Sequence, residues 1–220
     1  FKIADEWNLY LIPTAEVPLV DLVALGRQHG VPVAQDLGAG ALIDLQPWGL
    51  PEEPMVSDSV AAGVDVVTLS GDKVLGGPQA GLIVGRREAV EKIRSNPWMR
   101  ALRCDKLTYA ALEATLRLYL DRESLPANLP VLGMMTATTQ TLQARAERML
   151  GGLADLLRQD WRIEVIQSVA QAGSGSLPLE EIPSIAITVV PAGLSAGDLA
   201  TRLRRCEPAI LGYVRDDRLH

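Results

Sequence analysis

Apolar and polar positions change period several times along the chain, and each change marks an element. Over residues 18–29, Leu19, Leu22 and Leu25 recur at helical spacing, and Gly30 supplies a C-terminal stop. Val31-Pro-Val-Ala-Gln then reads as a short strand that delivers Asp36, after which Leu37-Gly38-Ala39-Gly40 turns the chain and residues 41–45 continue it. A short helix is predicted over 54–62, closed by Gly63. Val64, Val66, Val67 and Leu69 follow as a run rich in β-branched residues, the composition of a strand buried on both faces. The run stops at Ser70-Gly71-Asp72-Lys73, and Gly76-Gly77-Pro78 forbids a helix beyond it. The stretch 64–85, VDVVTLSGDKVLGGPQAGLIVG, therefore reads as strand, tight polar turn, glycine-rich loop and strand.

Helices dominate what comes next. One is predicted from 86 to about 95, where Asn96-Pro97 breaks it, and an amphipathic one over 107–120 places Leu112, Leu116 and Tyr119 on one stripe. Residues 121–130 form a polar, proline-containing joint, which divides the chain into domains at 1–120 and 121–220. A long helix is expected over 132–159, weakened at Gly151-Gly152, followed by strands at 163–169, 185–190 and 209–214. Between the last two strands, Leu199 and Leu203 mark a helix with Ser195 as its N-cap. The first part reads as α/β and the second as a smaller α+β layer.

Composition narrows the function classes. The 220 residues are 48% apolar with a single Phe, so the core is Leu, Val, Ala and Ile. A net charge of −6 and a pI near 5.0 argue against a broad nucleic-acid surface on this piece. No apolar run approaches ~18 residues, so no membrane span or membrane partner is expected, and no signal peptide opens the chain; the cytoplasm is the expected location. Cys104 and Cys206 are too few and too scattered for a disulfide framework, and no metal site is expected. The chain starts at Phe1 rather than Met and already runs into apparent folded structure, so it is taken as a fragment.

Candidate chemistry gathers at three places. Lys73 follows a buried strand beside Asp72 and a glycine loop, where α/β sheets place ligands. Burial of a lysine disfavours its ammonium form, the property a Schiff-base lysine needs. On the Asp-Lys pair alone, a surface lysine in a hairpin loop is the plainer reading. Asp36 ends the preceding strand, where an acid is costly unless paired, although a turn or helix cap would also account for it. Arg100 and Arg103 lie three apart in WMRALRCDKL, so on a helical turn both guanidinium forks can face one oxyanion; a solvated basic face is the alternative. Cys104 between them and the next helix reads as a small packed residue. Ala172-Gly-Ser-Gly-Ser-Leu-Pro could cradle a phosphate through backbone N–H groups, or be a plain flexible hairpin.

The run SGDKVLGGPQAGLIVG, the segment MRALRCDK and the glycine loop before Ser-Leu-Pro together resemble bacterial selenocysteine synthases, the L-seryl-tRNA(Sec) selenium transferases, from about residue 16 to 219. The resemblance implies part of the large domain of the aspartate-aminotransferase-like, fold type I, pyridoxal-phosphate architecture, followed by the smaller α+β domain. It implies conversion of seryl-tRNA(Sec) to selenocysteinyl-tRNA(Sec) with selenophosphate, a β-replacement through an aminoacrylyl intermediate. Lys73 would hold pyridoxal 5'-phosphate, Asp36 would pair with its pyridine nitrogen, and Gln79 would contact the cofactor or order the loop. Asp72 would be the acid for hydroxyl departure, and Arg100 and Arg103 would hold selenophosphate. In this family the third glycine of the loop falls near Ser174, so a role for that loop is less firmly implied. Seryl-tRNA would be gripped mainly by N-terminal parts that this chain lacks, and a homo-oligomer is expected of the full-length protein. Residues 1–18, FKIADEWNLYLIPTAEVP, locally resemble a seryl-tRNA synthetase motif that would point to Thr14 and Glu16, and a splice or chance join is preferred to a working serine site there. Two other readings stay open: a related pyridoxal-phosphate lyase or transferase acting on a small amino acid or sugar acid, and a non-catalytic truncated fragment. By itself the fragment is expected to be inactive.

Overall fold

A computed structural model describes residues 17–153, 160–171 and 181–220. The described residues form two compact units, the first running to Thr136 and the second beginning at Ala137. The expected strand at 9–12, Thr14, Glu16 and the glycine loop with Ser174 lie outside the described residues.

In the first unit, helix α1 (Leu19–His29) ends where Gly30 turns left-handed at φ 62°. Strand β1 (Ala34–Gly38) runs parallel to β2 (Val66–Ser70), with helix α2 (Val56–Ala62) between them, and β3 (Gly81–Gly85) returns antiparallel to β2. The order is β1-β2-β3. Residues 41–45 make only a single bridge, Ala41 to Met55, so β2 is the strand directly beside β1. Burial alternates along β2. Val67 and Leu69 are buried, while Thr68 is half-exposed opposite the exposed Asp36 and Ile83. This corrects the expectation of a strand buried on both faces, and the cause is where the helices lie. Leu19 and Val23 of α1 pack with Val67, and Leu112, Leu116 and Tyr119 pack with Leu69 and Leu75. Those contacts cover one face of the sheet.

Helix α3 (Arg87–Ser95) ends at Asn96, and the four-residue α4 (Met99–Leu102) follows. Helix α5 (Lys106–Leu118) starts at Asp105, whose Oδ1 accepts from the N–H of Leu107 at 2.7 Å and of Thr108 at 2.9 Å. The Thr108 and Leu107 N–H groups hold the Asp105 carboxyl below the usual carboxylate range. The expected stripe Leu112, Leu116, Tyr119 is the face that packs. Residues 121–130 are less polar in their role than their composition suggested. They carry α6 (Leu125–Asn128), and Leu125 and Leu129 are buried.

The long helix expected over 132–159 is two helices, α7 (Pro130–Met135) and α8 (Thr139–Leu153). Threonine hydroxyls make the break. Thr136 Oγ1 donates to the Leu132 carbonyl at 2.8 Å, and Thr138 Oγ1 accepts from the Thr141 N–H at 3.2 Å. In the second unit, β4 (Arg162–Ala170) and β5 (Ile182–Val190) pair antiparallel along their full length. Helix α9 (Ala196–Arg204) begins at Ser195, whose hydroxyl accepts from the Asp198 N–H at 3.0 Å, as the sequence predicts. The strand expected at 209–214 is instead a small hairpin of β6 (Val214–Arg215) and β7 (Arg218–Leu219), with sheet order β4-β5-β7-β6. Asp216 and Asp217 both take positive φ (51° and 55°), the geometry of a two-residue hairpin turn. Among the described residues no helix is long and apolar enough to cross a membrane.

Two side chains tie α5 to the segment after β2. Leu75 is fully buried between the sheet and α5. Tyr119 donates its phenol to the Leu75 carbonyl at 3.0 Å, and burial pushes that phenol up to about 12. Leu75→Ala should cost about 2–5 kcal/mol, read from the urea midpoint. For Tyr119→Phe the test is alkaline. A raised phenol contributes stability below about pH 10, lost as pH rises towards its folded value. The Phe variant should therefore show a flatter decline of stability across that alkaline range, and an unchanged slope would refute the assignment.

Candidate active site

The turn after β2 is closed by its own backbone. The Gly71 N–H donates to Ala80 O at 2.8 Å, Gly77 N–H to Gly71 O at 2.7 Å, and Gly76 N–H to Lys73 O at 2.9 Å. Gly76 is required at its place: φ is 73°, and a Cβ there would stand 2.6 Å from Val131 Cγ1 and 2.9 Å from Leu129 Cδ1. Val74 and Leu75 are buried directly after Lys73, so the lysine backbone is anchored while its half-buried side chain leaves the turn.

That side chain runs towards the end of β1. Its Nζ lies 3.9 Å from where a Cβ on Gly38 would sit, and Gly38 itself has φ 63°. A side chain at 38 would crowd the amine; glycine leaves the space open. The Gly38 N–H donates to Asp36 Oδ1 at 3.2 Å, and the same oxygen accepts from Thr68 Oγ1 at 2.8 Å. Thr68 pairs with Asp36 across the parallel strands. An amine and an oriented carboxylate thus converge on one glycine, on neighbouring strands.

A third charge belongs to this place and was not anticipated. Glu53 is half-buried; burial pushes its carboxyl above the usual range, and the charge of Lys73 pulls it back down. The chain beside it is clamped to the segment leaving β1, since the Ala41 N–H donates to Pro54 O at 3.1 Å and the Val56 N–H to Ala41 O at 3.0 Å. Thr68 had a signal in the sequence, as the polar member of the run VVTLS. Glu53 had only its setting in LPEEP.

The other candidates are placed more loosely. Asp72 and Gln79 are exposed in the turn and loop around Lys73. Arg100 lies within α4, but Arg103 lies past its end in extended conformation (φ −64°, ψ 140°), because Asp105 must already be positioned to cap α5. Both arginines are exposed, and the shared helical turn expected of them is not formed. Cys104 is half-buried and Cys206 exposed, both as free thiols. Among the described residues no cluster of His, Cys, Asp and Glu could hold a metal ion. The chemistry this arrangement supports is nucleophilic: a lysine amine able to bond a carbonyl carbon, next to a fixed acid.

Comparison with known proteins gives this geometry its family. An L-seryl-tRNA(Sec) selenium transferase of Nitratidesulfovibrio vulgaris is 50% identical over 202 residues, which is 92% of this chain and 43% of that protein. One from Escherichia coli is 46% identical over 209 residues, 94% of this chain and 45% of that protein. The chain therefore spans less than half the length of these curated relatives. A solved structure, a D-glucosaminate-6-phosphate ammonia-lyase, is 21% identical with a TM-score of 0.55, covering 94% of this chain and 48% of that one. That likeness shows the fold, the expected α/β architecture of fold type I with only part of its length present. The family model for L-seryl-tRNA selenium transferase matches residues 8–220, and the chain belongs to that family.

Proposed function

We propose that this chain carries the lysine side of a pyridoxal-phosphate site that converts seryl-tRNA(Sec) to selenocysteinyl-tRNA(Sec), with selenophosphate as the selenium donor. The observation that carries this reading is the convergence of Lys73 Nζ and the Asp36 carboxylate on Gly38, in a chain of this family. The donor set fits the cofactor. Pyridoxal phosphate needs an amine for its aldehyde carbon and an acid for its ring nitrogen, and the bare Gly38 leaves room beneath the amine. When bound, the cofactor supplies an electron sink for the pair left at the substrate's α-carbon.

Lys73 binds the cofactor covalently and gives way to the seryl amine. Asp36, held by Thr68 Oγ1 and the Gly38 N–H, keeps a proton on the ring nitrogen. Its two hydrogen bonds stop the carboxylate from swinging away, so the charge is already in place when needed. Asp72 gives the proton that lets the seryl hydroxyl depart as water. Arg100 and Arg103 bind the selenophosphate oxyanion through charge-assisted hydrogen bonds. Gln79 orders the loop or touches the cofactor. With a net charge of −6, the transfer RNA is engaged mainly by residues outside this chain. The working protein is a cytoplasmic homo-oligomer.

Borohydride reduction of the cofactor-loaded, full-length protein, followed by peptide mapping, should place the label on Lys73. A label on Lys92 or Lys106 would overturn the assignment. Replacing Arg100 or Arg103 with Ala should weaken use of the selenium donor about tenfold or more, since such bonds contribute about 1.5–3 kcal/mol each. Cofactor absorbance and RNA binding should hold nearly constant. An equal fall in RNA affinity would favour a basic face serving the nucleic acid.

A further inference from the structure

The proposed chemistry uses Asp36 and leaves the second acid near Lys73 without a task. Glu53 arrives from a different part of the chain. It lies in Pro51-Glu52-Glu53-Pro54, where two prolines fix the backbone and the Ala41–Met55 bridge clamps the following residues to the segment leaving β1. Gly38, over which the lysine amine sits, is three residues upstream of Ala41 on that same segment. The loop is thus held against the site by backbone hydrogen bonds that do not involve the Glu53 side chain. The side chain is half-buried, and its charge interacts with that of Lys73. A carboxyl withdrawn from water in this way is costly unless a cation faces it.

Resting on the reading of Lys73 as the cofactor lysine, we propose that Glu53 is a positioning residue for it: the Glu53 carboxylate holds the Lys73 ammonium over Gly38 and lets it go as the amine bonds the cofactor. Asp36 and Glu53 then divide the work. One serves the cofactor ring, and the other serves the lysine whenever the lysine is free of the cofactor. Burial raises the Glu53 carboxyl and the lysine's charge lowers it, the push and pull expected of a carboxyl whose ionised form is supported by that one cation. The other titratable or charged groups around the lysine are Asp72 on its own turn, Asp36 on β1, Glu52 beside Glu53, and the Tyr119 phenol of α5. That phenol is engaged by the carbonyls of Val74 and Leu75.

The test follows attachment of pyridoxal phosphate to Lys73 in the full-length protein, trapped with borohydride at a series of pH values and counted by mass spectrometry. An anion beside an amine favours its charged form, so Glu53→Gln should move the midpoint of the attachment rate to lower pH, by about half a unit or more. Glu53→Asp, which keeps the charge, should recover at least part of that shift. Glu52→Gln, altering the exposed neighbour, should leave the midpoint in place. Attachment to another lysine in the unaltered protein would remove both the site reading and this proposal. Attachment at Lys73 with an unmoved midpoint in Glu53→Gln would remove the role of Glu53 alone. Should Glu53→Gln fail to melt cooperatively, Lys73→Met decides. The coupling is reciprocal, so the carboxyl of Glu53, followed by NMR of side-chain-labelled glutamate, should titrate at higher pH once the lysine charge is gone. An unmoved Glu53 titration would overturn the proposal.

Discussion

Three backbone hydrogen bonds, closing the turn between β2 and β3, decide where the rest of the first unit can be. They bring Gly71 to Ala80, Gly77 to Gly71 and Gly76 to Lys73. Such contacts need backbones closer than side chains permit: a Cβ on Gly71 would stand 2.9 Å from the Pro78 carbonyl oxygen. Once the turn is closed, Val74 and Leu75 have no route except into the core, where α5 covers them and Tyr119 takes up their carbonyls. The lysine between the exposed Asp72 and the buried Val74 therefore has a fixed root. Its flexible tip reaches the opening left by Gly38 on the neighbouring strand. Parallel pairing of β1 with β2 makes that reach short, because both strands end on the same side.

Much of this could be read from local chemistry. Gly30 and Gly63 stop helices because each takes the left-handed conformation at a helix end, and Ser195 caps because its hydroxyl meets a free N–H. The VDVVTLSGDK run gave strand and turn because its apolar stretch ends in residues that cannot extend it. The readings that failed depended on partners distant in sequence. A threonine pair splitting 132–159 looks like ordinary helix composition until Thr136 and Thr138 are seen serving opposite helix ends. The segment 209–214 has strand-like residues, yet only Val214 pairs, because the Asp216-Asp217 turn sets the register of a much shorter hairpin. Glu53 escaped notice for the same reason. Its meaning lies in a bridge between residues 41 and 55 and a charge at 73, and no periodicity in LPEEP encodes either.

The alternation along β2 also shapes the chemistry. Val67 and Leu69 face the helices, which leaves Thr68 on the other face, where it can donate to Asp36. A β-branched hydrophobe at 68 would suit a strand buried on both sides and would remove the donor that fixes the acid. The polar exception in an apolar run is therefore what orients the carboxylate. Burial on one face and hydrogen bonding on the other arise from the same two-residue period.

Helix α5 carries apolar side chains beyond its packed stripe. Leu112, Leu116 and Tyr119 meet the core, while Leu107 and Tyr109 stay 74% and 58% exposed, next to Trp98 at 73% and Leu102 at 71% around α4. Arg100 lies between Trp98 and Leu102 in the chain, and Arg103 directly follows Leu102. The setting matters for what these arginines can hold. In open water a guanidinium competes with solvent for an oxyanion and gains little from the pairing. Beside apolar surface from which water has been excluded, the same charge-assisted bonds strengthen because the local dielectric falls. The strength of the arginines' grip on an anion is therefore tied to whether Trp98 and Leu102 are covered. A guanidinium placed between two such side chains becomes a strong anion ligand only as its apolar neighbours lose their water.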